Sequence, residues 1–156
     1  MNESRRNLLQ ASGGATVLAL AASAGIFKPG VAYSQEWNKA AFDTKNLQDT
    51  AKALGGGAAI ESKEITITSP DIAENGAVVP VSVTSRLGKT ESISILVEKN
   101  PNALSALFDI PTGTEPFVST RVKMGQTSNV FALVKAEGKY YFATKEIKVT
   151  LGGCGG

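Results

Sequence analysis

Histidine is absent from the 156 residues, and cysteine occurs once. Without an imidazole the chain has no Ser-His-Asp or Cys-His nucleophile pair, no His-ligated haem and none of the common zinc sites. With one cysteine it has no internal disulfide and no thiolate cluster. Aromatic residues make up 6% and charged residues 19%. The 16 Lys+Arg against 14 Asp+Glu leave a net charge of +2. Arg5, Arg6 and Lys28 against Glu3 account for that excess, so the rest of the chain is neutral. A neutral chain poor in aromatics has no electrostatic footprint for nucleic acid. The hydrophobic fraction, 42%, fits neither a disordered tail nor a multi-span membrane protein. No catalytic residue, metal site or cofactor-binding motif is identified, and the expectation is a protein that is not itself an enzyme.

Residues 1–34 have the layout of an export signal. Ser4-Arg5-Arg6-Asn7-Leu8-Leu9 precedes an apolar run over 15–27, followed by Pro29 and small residues. Paired arginines before an apolar run indicate the twin-arginine type. The run is too short for a stable membrane anchor. Cleavage after Ala32 or Ser34 satisfies the small-residue rule, and the expected location is the periplasm. The twin-arginine route carries proteins already folded, which suits a chain that meets a partner before export.

Residues 35–55 read as an N-terminal helix. Trp37, Ala40, Ala41, Leu47, Ala51 and Leu54 fall at spacings of three and four, Phe42 lies off that stripe, and Gly55-Gly56-Gly57 ends it. Over 56–151 the period changes to two. Strands are expected at 65–68, 77–84, 91–98, 117–124, 127–135, 139–145 and 147–151, with Pro80 marking an edge or bulge. Short strands at such intervals, with no helices between them for parallel crossovers, predict an all-β, immunoglobulin-like β-sandwich. The apolar face of one sheet is the expected partner surface.

The chain ends Gly152-Gly153-Cys154-Gly155-Gly156. Glycine carries the largest entropy cost on ordering and buries no side chain. A structural cysteine sits among apolar neighbours, whereas this one lies between glycine pairs. Residues 152–156 are therefore expected to form a flexible arm carrying an exposed thiol, thin enough for a narrow channel in another protein. Five residues extend about 17 Å. A thiolate is a strong nucleophile and a covalent attachment point. No base or cationic cluster is evident beside it in the sequence, so activation is expected inside partner active sites, the logic of a carrier that presents one bound intermediate to several enzymes. A prenylation box is excluded because Cys154 is third from the end. A thiol oxidoreductase lacks the second cysteine that resolves a mixed disulfide. A ubiquitin-like carrier activating a terminal Gly-Gly carboxylate gives Cys154 no purpose. The remaining alternative is an exported immunoglobulin-like binding module that Cys154 dimerises through a disulfide.

Four stretches resemble the SoxY family, sulfur carriers of the thiosulfate-oxidising (Sox) system. They are the tail Gly152 to Gly156; Pro70-Asp71-Ile72-Ala73-Glu74-Asn75-Gly76 leading into Val78-Val79-Pro80-Val81, similar to the family's first hairpin; Glu98-Lys99-Asn100-Pro101; and Thr120-Arg121-Val122-Lys123-Met124-Gly125. Asn102-Ala103 departs from the pattern, where a second proline is expected. The resemblance implies an immunoglobulin-like sandwich paired with a SoxZ subunit. It implies that a haem-containing oxidase joins Cys154 to thiosulfate, a manganese-dependent sulfohydrolase removes sulfate, and a sulfane dehydrogenase oxidises the sulfur left behind. The haem and manganese belong to those partners, and no cofactor belongs to this chain. Arg121 and Lys123 are expected on one side of a strand, ion-paired within the domain or against the partner.

Overall fold

Alternating apolar and polar side chains build two sheets in the computed structural model, which describes residues 38–150. The strands are β1 (Ile60–Glu61), β2 (Ile65–Thr68), β3 (Ile72–Ala73), β4 (Val79–Ser85), β5 (Thr90–Val97), β6 (Leu104–Asp109), β7 (Phe117–Val122), β8 (Ser128–Ala136) and β9 (Lys139–Val149). The larger sheet runs β1-β9-β8-β5-β6, with β3 also paired to β9; the smaller runs β2-β4-β7. The chain changes sheet at every step from β1 to β5 and again from β6 to β7 and β7 to β8, which gives the expected immunoglobulin-like sandwich.

The inner faces meet in one core. Val79, Val81 and Val83 of β4 alternate inward toward Ile93, Ile95 and Val97 of β5 and Val130, Ala132 and Val134 of β8, all fully buried. The larger sheet is covered on its outer face as well. There Leu96, Leu104, Leu133 and Tyr140 pack against Ala41, Leu47 and Ala51. Burial on both faces explains why β5 is buried continuously from Ser92 to Val97 while β4 alternates.

The covering segment is two short helices, not the single helix expected over 35–55. Helix α1 spans Lys39–Phe42 and α2 spans Leu47–Ala53. The break follows from two asparagine caps. The Asn38 side chain accepts from the Ala41 amide at 3.1 Å, and Asn46 accepts from the Asp49 amide at 2.9 Å. Between them Thr44 turns its hydroxyl to the Ala41 carbonyl and to Thr50. Ala40 is exposed, and off-stripe Phe42 packs on the cluster instead. Helix α2 ends as anticipated. Gly55, at φ +84°, donates to Lys52 O, and Gly56 donates to Ala51 O, the paired bonds of a glycine-terminated helix. A β-carbon on Gly56 would lie 2.2 Å from the Tyr140 ring, so this glycine lets the chain cross the ring face.

The strands depart from expectation in four places. Segments 139–145 and 147–151 are one strand, because β8 pairs with β9 without interruption from Ala136↔Lys139 to Ser128↔Ile147. Strand β6 is additional; its Leu-Ser-Ala-Leu-Phe sequence neither alternates nor contains a β-branched residue. Strands β1 and β3 are two-residue additions paired parallel to β9. The stretch likened to a hairpin is a crossover, since β3 pairs with β9 in one sheet and β4 lies in the other. Pro80 sits in a central strand, at a local edge: β2 pairs with β4 only from Ser82 to Ser85, so nothing on that side requires the missing amide.

Two stability predictions arise here. Ser94 is buried on the outer side of β5, and its Oγ has no hydrogen-bond partner. Removing an unsatisfied buried hydroxyl relieves its desolvation cost, so Ser94→Ala is expected to raise unfolding stability by about 1 kcal/mol in urea titration. Tyr140 donates its hydroxyl to the Leu54 carbonyl at 2.8 Å, fastening the helical segment to the sheet. Burial pushes its pKa above the ordinary tyrosine value. A raised folded-state pKa contributes stability that is complete below the ordinary value and lost as pH rises through the folded one. Alkaline titration is expected to release the helical segment, and Tyr140→Phe is expected to remove that alkaline transition.

Candidate functional site

Cys154, with Gly152, Gly153, Gly155 and Gly156, lies outside the described residues, as do residues 1–34. The described part of the site is the root from which that segment leaves. Strand β9 outlasts its antiparallel partner: β8 stops pairing at Ser128↔Ile147, and residues 148–150 continue beyond it. Their amides are held in alternation. Lys148 N–H donates to Asp71 O at 2.9 Å and Thr150 N–H to Ala73 O at 3.1 Å, both on the β3 side. Between them Val149 N–H donates to Thr127 Oγ1 at 3.0 Å. A backbone strand on one side and a threonine hydroxyl on the other replace the missing β8 ladder.

The β3 segment is itself fixed. Lys145 Nζ donates to Ser69 O at 2.6 Å and pairs with Asp71 Oδ1 at 2.9 Å. Ala73 is buried in the inter-sheet core. The Asn75 side chain accepts from the Ala77 amide at 2.9 Å, which closes the Asn-Gly turn. Gly76 O then accepts from Met124 N–H at 2.7 Å. A β-carbon at Gly76 would stand 2.3 Å from Met124 O and 2.8 Å from Val149 Cγ1, so glycine is required for β3, the segment after β7 and the end of β9 to converge. Exposed Ile72 and Val78 lie on the segments flanking this root.

Neither sheet leaves an apolar face open for a partner among the described residues, which corrects the expected partner surface. The inner faces cover each other and α1 and α2 cover the outer face of the larger sheet. The outer face of the smaller sheet is mostly polar: it carries Thr66, Thr68, Ser82, Thr84 and Ser119, with Ser82 Oγ donating to Ser119 Oγ at 2.9 Å, and one exposed aromatic, Phe117, beside Thr84. Arg121 lies on that side opposite Pro80, whereas Lys123 lies past the end of β7. Neither forms one of the ion pairs among the described residues, so the expected internal salt bridge is not present there. The most connected ion pair is Lys135–Glu91, 2.8 Å, at the opposite end. The hydrogen bond from Lys135 and that from the Gly138 amide hold the Glu91 carboxyl below its usual range. No group of three or more His, Cys, Asp or Glu gathers among the described residues to hold a metal.

The stretch from Pro70 to Gly76, singled out by its resemblance to a hairpin, is in the structure the support of the root. Thr127 carried no sequence signal, because its role depends on contact with a residue 22 positions away.

A family model described as sulfur oxidation protein SoxY matches residues 50–154. Among solved structures, the sulfur carrier protein SoxY from Chlorobium limicola f thiosulfatophilum is 41% identical, with a TM-score of 0.58 over 66% of this chain and 96% of that one. The superoxide reductase (neelaredoxin) from Ignicoccus hospitalis is 20% identical, with a TM-score of 0.48 over 55% of this chain and 80% of its own. No curated protein sequence matches. The family match takes in the β3 crossover, every strand from β1 to β9 and Cys154 itself, and the chain therefore belongs to the SoxY family.

Proposed function

We propose that this chain is a covalent sulfur carrier of thiosulfate oxidation, with the Cys154 thiol as attachment point. The observation that carries this reading is the extent of the family match, which ends on Cys154 and so includes the Gly-Gly-Cys sequence beyond the last strand. The Chlorobium relative, 41% identical, is itself a sulfur carrier protein. The sandwich supplies a rigid base, and residues 152–156 act as a flexible arm. Export through the twin-arginine signal at 1–34 places the carrier in the periplasm, paired with SoxZ.

The chemistry balances with the partners named by class. A haem-containing oxidase joins the thiol sulfur to the sulfane sulfur of thiosulfate; the thiol loses its proton, and two electrons pass to the haem. Water, at the manganese-dependent sulfohydrolase, cleaves the bond between the two thiosulfate-derived sulfurs, releasing sulfate and two protons and leaving a persulfide. A sulfane dehydrogenase oxidises the terminal sulfur with three waters, giving up six electrons and six protons. A final hydrolysis releases sulfate and restores the thiol. This chain supplies the sulfur atom and its tether; the redox groups and the hydrolytic metal sit in the partners.

Incubation with labelled thiosulfate and the haem oxidase is expected to leave label on the chain that a thiol reductant removes. Label that fails to bind, or that resists reduction, contradicts the reading. The alternative, a binding module dimerised through Cys154, predicts a reduction-sensitive homodimer and no bound label.

A further inference from the structure

We infer that Thr127 and Gly76 are positioning residues of the carrier: with strand β3 they form a clip that sets where the tether of Cys154 begins. The inference rests on the carrier reading and adds to it a part of the chain outside the 152–156 arm. Without the clip, ladder pairing of β9 ends at Ile147, and Cys154 lies seven residues beyond the last held residue. With Lys148, Val149 and Thr150 each held by a hydrogen bond, it lies four beyond. Fully extended, those tethers reach about 25 Å and about 14 Å. Effective concentration at a fixed target falls roughly as the −3/2 power of tether length, so release of the clip is expected to dilute the thiol about two- to threefold at a partner active site.

The clip is built for this end of the strand. Its contacts alternate sides along three successive residues, so releasing either side frees only part of the root. Thr127 is the one side chain among the three acceptors, and its hydroxyl stands where β8 would have supplied a carbonyl. Gly76 leaves room for the Met124 carbonyl oxygen and the Val149 side chain, which a β-carbon would meet at 2.3 and 2.8 Å. The Lys145 contacts to Ser69 and Asp71 keep β3 against β9 from below the root.

The test uses the full mature chain as Thr127→Val, Thr127→Ser and Gly76→Val variants. Amide exchange at residues 148–150 is compared with exchange at Leu133 and Ala143 inside the β8–β9 ladder. Loading of Cys154 by the haem oxidase gives KM and kcat, and alkylation by iodoacetamide reports intrinsic thiol reactivity. Thr127→Val is expected to speed exchange at Val149 roughly tenfold, consistent with loss of one hydrogen bond. With Thr150 still held by β3, the loading KM, kcat and alkylation should stay unchanged in this variant, and Thr127→Ser should restore the exchange rate. Gly76→Val should speed exchange at Lys148 and Thr150 while Leu133 and Ala143 stay protected. Thr127→Val combined with Gly76→Val releases both sides and should raise the loading KM about two- to threefold by the tether-length dependence, with kcat and alkylation unchanged. If Gly76→Val does not fold, Lys145→Met takes its place in the combination as the variant that loosens β3. Unprotected amides at 148–150 in the wild type, or faster exchange at all three residues with an unchanged KM, overturn the inference. A wild type that takes up no sulfur overturns the carrier reading, and the exchange measurements then decide separately whether the clip exists.

Discussion

Replacing Cys154 by serine is expected to abolish sulfur loading and thiosulfate oxidation through this carrier while leaving the thermal midpoint unchanged. A hydroxyl has the shape of the thiol but neither its nucleophilicity nor its capacity for a sulfur–sulfur bond. Cys154 is the only cysteine, so no second thiol in the chain substitutes for it. In sequence it follows the last strand, and the buried clusters described above span Ala41 to Ile147. The two readouts therefore separate: calorimetry reports an intact sandwich, and oxygen uptake with thiosulfate reports loss of function. Unchanged thiosulfate oxidation in Cys154→Ser defeats the carrier reading, and a large drop in thermal midpoint shows that the cysteine is structural.

The converse is expected for Ile95→Ala. Ile95 is fully buried on β5, the strand packed on both faces, and its inward side chain meets the β4 valines across the core. Its backbone pairs with Ala106 of β6 and Ala132 of β8, small residues that leave little side chain to fill a vacated space. Truncation removes buried methyl groups and leaves a cavity, at a cost of about 2–5 kcal/mol. Against a total stability of about 5–15 kcal/mol, that is a large fraction. Urea titration should show the midpoint fall with little change in slope. Per folded molecule, however, Cys154 should load at the wild-type rate, because the proposed carrier separates the base that holds Ile95 from the arm that holds the thiol. A stable Ile95→Ala contradicts the packing described for β5, and a folded but unloadable one contradicts the separation of base and arm.

Much of the sandwich was legible because its strands alternate. Val79, Val81 and Val83, and Val118 and Val122, declare one buried side at period two, and those elements fall within a residue or two of expectation. What failed was decided by tertiary contact. Strand β6 has helix-former composition and is a strand because β5 pairs with it. The helix stripe ran through a segment that two asparagine caps split. The Asn75-Gly76 dipeptide does mark a turn, but whether β3 turned back on β4 or crossed to the other sheet depended on β9 being available as partner. Composition singles out Cys154, a cysteine between glycine pairs, and the carrier role proposed for it starts from that pattern. The support of 148–150 was not legible: the residues that hold it come from 71–76 and 127, and no local pattern joins them.

The most direct measurement is the mass of the peptide containing Cys154, from mature protein purified out of cells oxidising thiosulfate and compared with cells grown without it. The account predicts a ladder of reductant-labile masses on Cys154, namely thiosulfonate, persulfide and sulfonate, present only with thiosulfate. A bare thiol in both samples, or a single species in which two copies of this chain are joined through Cys154, contradicts it.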